Sequence, residues 1–141
     1  MAQSVIRCHR RQKGHRRLMV WSEQAINAIA RSDEVRISSD RPDGSARPDV
    51  IIWAVEFDGD IFVRSARGAT NGWFRRAVTS GSGHITAGTN TTAVRFVAAD
   101  DDAQAGVDAA YRSKYARYPS IVDGITGPAV YEVTLRLDPV D

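Results

Sequence analysis

At 141 residues and 15.5 kDa the chain has room for one domain with a hydrophobic core and not for two. Its formal charge of +2 conceals an asymmetry, because residues 1–18 carry six Lys or Arg and no acid, leaving 13 basic against 17 acidic residues, a net of −4, in the rest. A single cysteine, Cys8, excludes an internal disulfide and a cysteine-rich zinc cluster. No apolar run approaches the roughly 20 residues that span a bilayer as a helix, and the first residues lack the apolar centre of a signal peptide, so a cytoplasmic protein is expected.

Residues 1–18 show no apolar period and read as a disordered basic arm ahead of a domain at 19–141. Three uses compete for it. It is an adventitious leader before Met19, which is the favoured reading; or it grips nucleic-acid phosphates; or Cys8, His9 and His15 hold a metal, three ligands with no fourth. Nucleic acid and a metal are therefore not the expected partners.

Ser22 caps a short helix to about Arg31 with Ile26, Ile29 and Ala30 as its apolar stripe, and residues 34–38 alternate as a strand. Residues 39–48, with Pro42, Gly44 and Pro48, form a loop in which Arg41 and Arg47 flank Asp43-Gly44-Ser45. Val50 to Phe57 is apolar on both faces and predicts one strand of a barrel wall or covered sheet. Asp58-Gly59 predicts a tight hairpin to the next strand, with Phe57 opposite Asp60, Val55 opposite Phe62, Trp53 opposite Arg64 and Ile51 opposite Ala66. Residues 84–87 and 91–98 make a second hairpin. Asp100 to Asp102 lead into a helix in which Val107, Tyr111, Tyr115 and Tyr118 recur at helical spacing as packing residues; Pro119 stops it, and a last strand alternates from Tyr131 to Leu137.

The stretch from Phe62 to Val78 is the candidate site. A strand with period two breaks at Gly68, and Thr70 or Asn71 caps a helix in which Trp73 stacks over Ala77 and Phe74 over Val78. A glycine turn into a helix start leaves backbone N–H groups facing outward, and Arg64 and Arg67 beside them predict an anion site, since guanidinium forks match phosphate oxygens. No metalloprotease, Walker, Rossmann or Ser-His-Asp pattern occurs. An anion site with aromatics but no nucleophile or base points to a bound cofactor as the source of any chemistry.

Val63-Arg-Ser-Ala-Arg-Gly68, then Trp73-Phe-Arg-Arg76, then a strand beginning His84-Ile-Thr-Ala-Gly88, resembles the core of the FMN-binding split-barrel superfamily, which includes pyridoxamine-phosphate oxidases and deazaflavin-dependent nitroreductases. With Trp21-Ser-Glu, Ile52-Trp53-Ala-Val, Ala109-Ala-Tyr-Arg-Ser-Lys-Tyr115 and Thr134-Leu-Arg-Leu137, the chain is more closely similar to an uncharacterised bacterial domain family of that superfamily, over about Val20 to Leu137. It departs from the deazaflavin branch in having Arg75-Arg76 where that branch has Asn-Leu, and Arg41-Pro-Asp-Gly-Ser-Ala-Arg47 in place of a Gly-Arg-x-Ser-Gly loop.

The resemblance implies an α+β fold, a six-stranded antiparallel split β-barrel with short flanking helices, in a homodimer that binds FMN or a 5-deazaflavin coenzyme and acts as an oxidoreductase on a small molecule. Arg47, Arg64, Ser65, Arg67, Gly68 and Arg76 would hold the cofactor's phosphate or tail and Trp53 and Trp73 would border its ring, with no catalytic acid or base assigned. Two alternatives stand beside it. One is a non-catalytic binding module for a flavin-like or other anionic ligand, and the other a nucleic-acid-associated protein working through the arm.

Overall fold

A computed structural model describes residues 20–140; the basic arm lies outside the described residues. Helix α1 (Glu23–Arg31) forms where expected: the Ser22 hydroxyl accepts the Ala25 N–H at 3.1 Å, Glu23 stands in the first turn and Arg31 in the last, and Ala25 and Ile29 are buried. It is followed by β1 (Val35–Ser39), β2 (Val50–Ile52), β3 (Ala54–Phe57), β4 (Asp60–Arg64), α2 (Gly72–Ser80), β5 (Ser82–Ala87) and β6 (Asn90–Ala98). A 3-10 turn (Asp101–Ala103) then opens α3 (Gln104–Lys114), and α4 (Pro119–Ile125) and a 3-10 segment (Pro128–Val133) lead to β7 (Thr134–Pro139). The long helix ends at Lys114, capped at Tyr115 and short of Pro119, which does not stop it; the fixed φ of Pro119 suits a first helical position, and it starts α4, which has no strong apolar period to announce it.

All strands pair antiparallel in the order β2-β1-β5-β6-β7-β4-β3. The two edges, β2 and β3, are successive pieces of one apolar stretch separated only by Trp53, so the sheet curls until its edges meet in sequence and forms a nearly closed barrel. The sheet has seven strands and not six, because residues 50–57 are two strands. Val35 to Ile37 pair with Val50 to Ile52, whereas Ala54 to Phe57 turn through Asp58-Gly59 onto β4. Both turn residues have positive φ, 56° and 83°, the two-residue geometry that matches strand twist, and the register Val55 opposite Phe62 and Phe57 opposite Asp60 is the expected one. That ladder ends at Ala54 opposite Val63. Ile51 faces Arg36 and not Ala66, and Trp53 sits at the break.

The barrel interior is filled by Ile37, Ile61, Val63, Ile85, Val94 and Leu137, closed by Trp21, α1 and the Trp73, Phe74 and Ala77 face of α2. Trp73 and Phe74 meet edge to face at 5.9 Å, while Val78 is 54% exposed and takes no part in that face. A second apolar cluster outside the barrel unites Val55 and Phe62 with Val107, Tyr111, Tyr115 and Ile125, so Tyr111 and Tyr115 are packing residues, whereas Tyr118 lies beyond α3, exposed, with its hydroxyl on Asp33. Lys114 fastens this layer by donating to the carbonyls of Ile29 at 2.8 Å and Ala54 at 2.7 Å. Among the described residues no helix is long and apolar enough to cross a membrane.

β5 approaches β1 so closely at Gly83 that a methyl group there would lie 2.0 Å from the Ser38 carbonyl oxygen, which is backbone and cannot swing away. Gly83→Ala is therefore expected to destabilise by about 1–3 kcal/mol or more. Gly124→Ala, which meets nothing within 4 Å on α4, is expected to stabilise by about 0.5–1 kcal/mol. Urea unfolding of the two variants checks the contrast.

Candidate functional site

Arg64 is the last residue of β4, and its position on the strand turns the side chain away from solvent, so that the residue is 2% exposed. A buried guanidinium must spend five N–H donors, and all five are spent inside the protein. Nε donates to the Thr134 hydroxyl at 2.9 Å; Nη1 to Asp108 at 2.6 Å and the Ile125 carbonyl at 2.9 Å; Nη2 to the Gln104 side-chain oxygen at 2.8 Å and its carbonyl at 3.3 Å. Its Cζ lies 5.6 Å from the centre of the Tyr111 ring and 5.4 Å from that of Tyr131, so the aromatic neighbours are these and not Trp53.

Asp108 completes the group. Burial works to raise its carboxyl, but hydrogen bonds from Arg64, Tyr131 and the Gly127 N–H, with the Arg64 charge, outweigh burial and hold it below the ordinary carboxylate value. Tyr131, held to that carboxylate, is correspondingly raised.

The other predicted residues around the Gly68 turn do not converge on one point. Ser65 is fully buried and donates its hydroxyl to the Gly68 carbonyl at 2.7 Å, while its N–H reaches the Val133 carbonyl at 3.1 Å. Gly68 has φ of 86°, which only glycine adopts cheaply, and returns its N–H to the Ser65 carbonyl. These contacts close the turn upon itself. Arg67 is exposed, whereas Arg64 is buried. Trp73 belongs to the barrel core, and Trp53 is half-buried at the edge gap, where its carbonyl accepts the Tyr111 hydroxyl at 2.7 Å.

Arg47 and Arg76 are brought together, in a cleft of about 670 Å³ between the β1–β2 loop and α2. The loop is preorganised: the Gly44 N–H donates to the Arg41 carbonyl and the Arg41 N–H to the Ser45 carbonyl, both at 2.8 Å, the Asp43 carboxylate accepts from the Ser45 N–H and hydroxyl, and Arg47 N–H donates to Ser39 at 2.9 Å. From it Arg41 and Arg47 line the cleft; α2, whose Trp73, Phe74 and Ala77 turn to the core, supplies Arg75, Arg76, Thr79 and Ser80 from its outer surface. Four arginines thus line the cleft with one acidic residue, Asp40, whose carboxylate accepts the Ser82 hydroxyl at 2.9 Å.

Arg41 is partly engaged with the Ala46 carbonyl at 3.0 Å. Arg47 Nε is buried and has no hydrogen-bond partner among the described residues, a costly state for a charged donor unless a ligand completes it. The participation of Arg41 and Arg75 was not assigned from sequence. The signals were present: arginines at both ends of a Pro-Asp-Gly turn, and an Arg-Arg doublet on the face opposite the apolar one. Among the described residues there is no grouping of His, Cys, Asp and Glu that could hold a metal ion.

The chain is thus a seven-stranded, nearly closed antiparallel barrel with an arginine-lined cleft beside its second helix. The chain belongs to DUF2255, a family of uncharacterised proteins conserved in bacteria, which it matches over residues 25–137. No curated protein matches it in sequence. Solved structures share the fold at low identity. A conserved hypothetical protein of Mycobacterium tuberculosis is 15% identical with a TM-score of 0.57, over 92% of this chain and 90% of that one. HutZ, the heme storage protein of Vibrio cholerae, is 14% identical with a TM-score of 0.59, over 87% of this chain and 92% of that one. A heme-binding protein of Mycobacterium smegmatis is 15% identical with a TM-score of 0.55, over 84% of this chain and 52% of that one.

Removing one partner of a buried ion pair strands the other, so Asp108→Asn is expected to cost about 3–5 kcal/mol at pH 7. Because the folded carboxyl is lowered, the wild-type advantage is complete above the unfolded value of about 3.9 and is lost as pH falls through the folded value. Thermal melts of both proteins from pH 7 to pH 3 should therefore converge towards the acid end.

Proposed function

We propose that the cleft binds a phosphorylated flavin-type cofactor, FMN or a 5-deazaflavin coenzyme, by its phosphate. The observation that carries this is Arg47 Nε, buried and unpartnered among the described residues, in a cleft lined by three further arginines and a single acidic residue. A phosphate brings several acceptor oxygens and two negative charges, which is what such a donor set lacks. The bound cofactor would supply a two-electron transfer to or from a small molecule. The chain's own part is binding and orientation: Arg47 and Arg41 from the loop and Arg75 and Arg76 from α2 hold the anion, and no side chain is assigned as acid or base.

The fit is to the phosphate end. Pro42, glycines, Thr79, serines and arginines line the cleft, and no aromatic ring is among them, Trp53 and Trp73 lying elsewhere. A homodimer belongs to the same proposal, a second copy of the chain supplying the wall against which a flat ring would rest.

Two of the structural neighbours are described by their heme, which gives a second reading of the cleft as a non-catalytic site for a tetrapyrrole, whose propionates would also suit arginines. The lining favours the flavin reading, since it offers no His, Cys, Met or Tyr to ligate an iron.

Titration of the purified full chain with FMN, riboflavin and hemin separates these. FMN is expected to bind and riboflavin, which lacks the phosphate, to bind at least about tenfold more weakly. Arg47→Ala should weaken FMN by about tenfold or more, the loss of a charge-assisted hydrogen bond, without lowering the melting temperature. Tight hemin binding with no response to FMN would overturn the proposal.

A further inference from the structure

We infer that Gly72 is a positioning residue for the phosphate cleft: by having no side chain it lets Arg76 fold back along α2 and set its guanidinium against the start of the helix, at the cleft wall. The inference rests on the function proposed above and goes beyond it to how one of the arginines is aimed.

Gly72 opens α2, where helix propensity does not call for glycine. Nor does the backbone require it. Gly44, Gly59, Gly68, Gly81, Gly88 and Gly127 all have positive φ, and Gly72 is not among them. What the missing side chain makes room for is specific. A methyl group at Gly72 would lie 2.9 Å from Arg76 Nη1 and 3.6 Å from its Cζ and Nη2, the three nearest atoms outside the helix backbone and the chain neighbours, all of them in the Arg76 guanidinium. The two residues are four apart, and a long helical side chain leans towards the preceding turn, so the guanidinium of Arg76 rests on the bare Cα of Gly72.

Both residues line the cleft whose loop wall carries Arg41 and Arg47. An added methyl group would meet only the far end of a flexible side chain, so the fold can accommodate it by moving Arg76 outward. The cost falls on aim and not on packing. The ligand class is the one for which two fixed arginine walls are suited: a terminal phosphomonoester, compact and doubly charged, that is bridged between loop and helix.

A double-mutant cycle on the full chain tests this, with wild type, Gly72→Ala, Arg76→Ala and the double variant titrated with FMN and with riboflavin and melted in parallel. Gly72→Ala is expected to weaken FMN about as much as Arg76→Ala does, by at least about fivefold, with riboflavin unmoved and the melting temperature unchanged or raised. In the Arg76→Ala background the same change should have no further effect. A Gly72→Ala protein that binds FMN as wild type does, or that loses as much affinity without Arg76 as with it, would overturn the positioning role while leaving the cleft assignment standing. A wild type that binds FMN no better than riboflavin overturns the cleft assignment itself, and the positioning role with it.

Discussion

The constraint on which this structure most depends is the burial of one guanidinium. Arg64 stands at the end of β4 with all five donors satisfied by three different stretches of chain: α3 through Gln104 and Asp108, the end of α4 through Ile125, and β7 through Thr134. A guanidinium cannot give up its proton to escape burial, so acceptors must be delivered to it, and delivering them fixes where the outer helical layer sits on the barrel. Tyr131 is drawn in by the same carboxylate, at 2.7 Å, and its ring and that of Tyr111 flank the cation. The pin couples the barrel to the second apolar cluster, which shares none of the barrel's interior.

That constraint divides the arginines by role. An arginine whose hydrogen bonds are complete has nothing to offer a ligand, whereas those of the cleft are gathered on a surface that gives them little in return. Like charges drawn into one concavity repel, and the single carboxylate there, Asp40, already accepts from Ser82. Such an arrangement raises the local potential for anions and is relieved when one binds. The β1–β2 loop is held by its own turn hydrogen bonds, so the arginines it carries need little ordering when a ligand arrives.

Much of the fold was legible because local chemistry and tertiary position agree. Ser22 caps α1, Asp58-Gly59 supplies two positive-φ residues to the hairpin, Gly81 ends α2 in the left-handed conformation, and Tyr111 and Tyr115 pack as their spacing implies. The seventh strand was hidden because Val50 to Phe57 is apolar but for Glu56; nothing in such a run says that the chain crosses from one edge of a barrel to the other at Trp53. α4 and the 3-10 segment before β7 were hidden because they are short and held by tertiary contacts more than by propensity. Of the candidate cleft, the arginines were legible and their grouping was not. Arginines beside a strand, a glycine turn and a helix are visible in the sequence, but sequence cannot distinguish an arginine whose partners arrive from 40 to 70 residues away from one that has none. Arg64 is the former, and Arg47 carries the cleft's buried Nε, unpartnered among the described residues, only through the fold that brings α2 alongside.

The most direct test is a spectrum of the arginine Nε–Hε groups in the nitrogen-labelled chain, recorded as FMN is added. The Arg47 resonance should move to the position of a strongly hydrogen-bonded donor as the cleft fills, while Arg64, already saturated, stays where it is. A titration that shifts Arg64 and leaves Arg47 untouched would place the ligand at the Gly68 turn and contradict the assignment of the cleft.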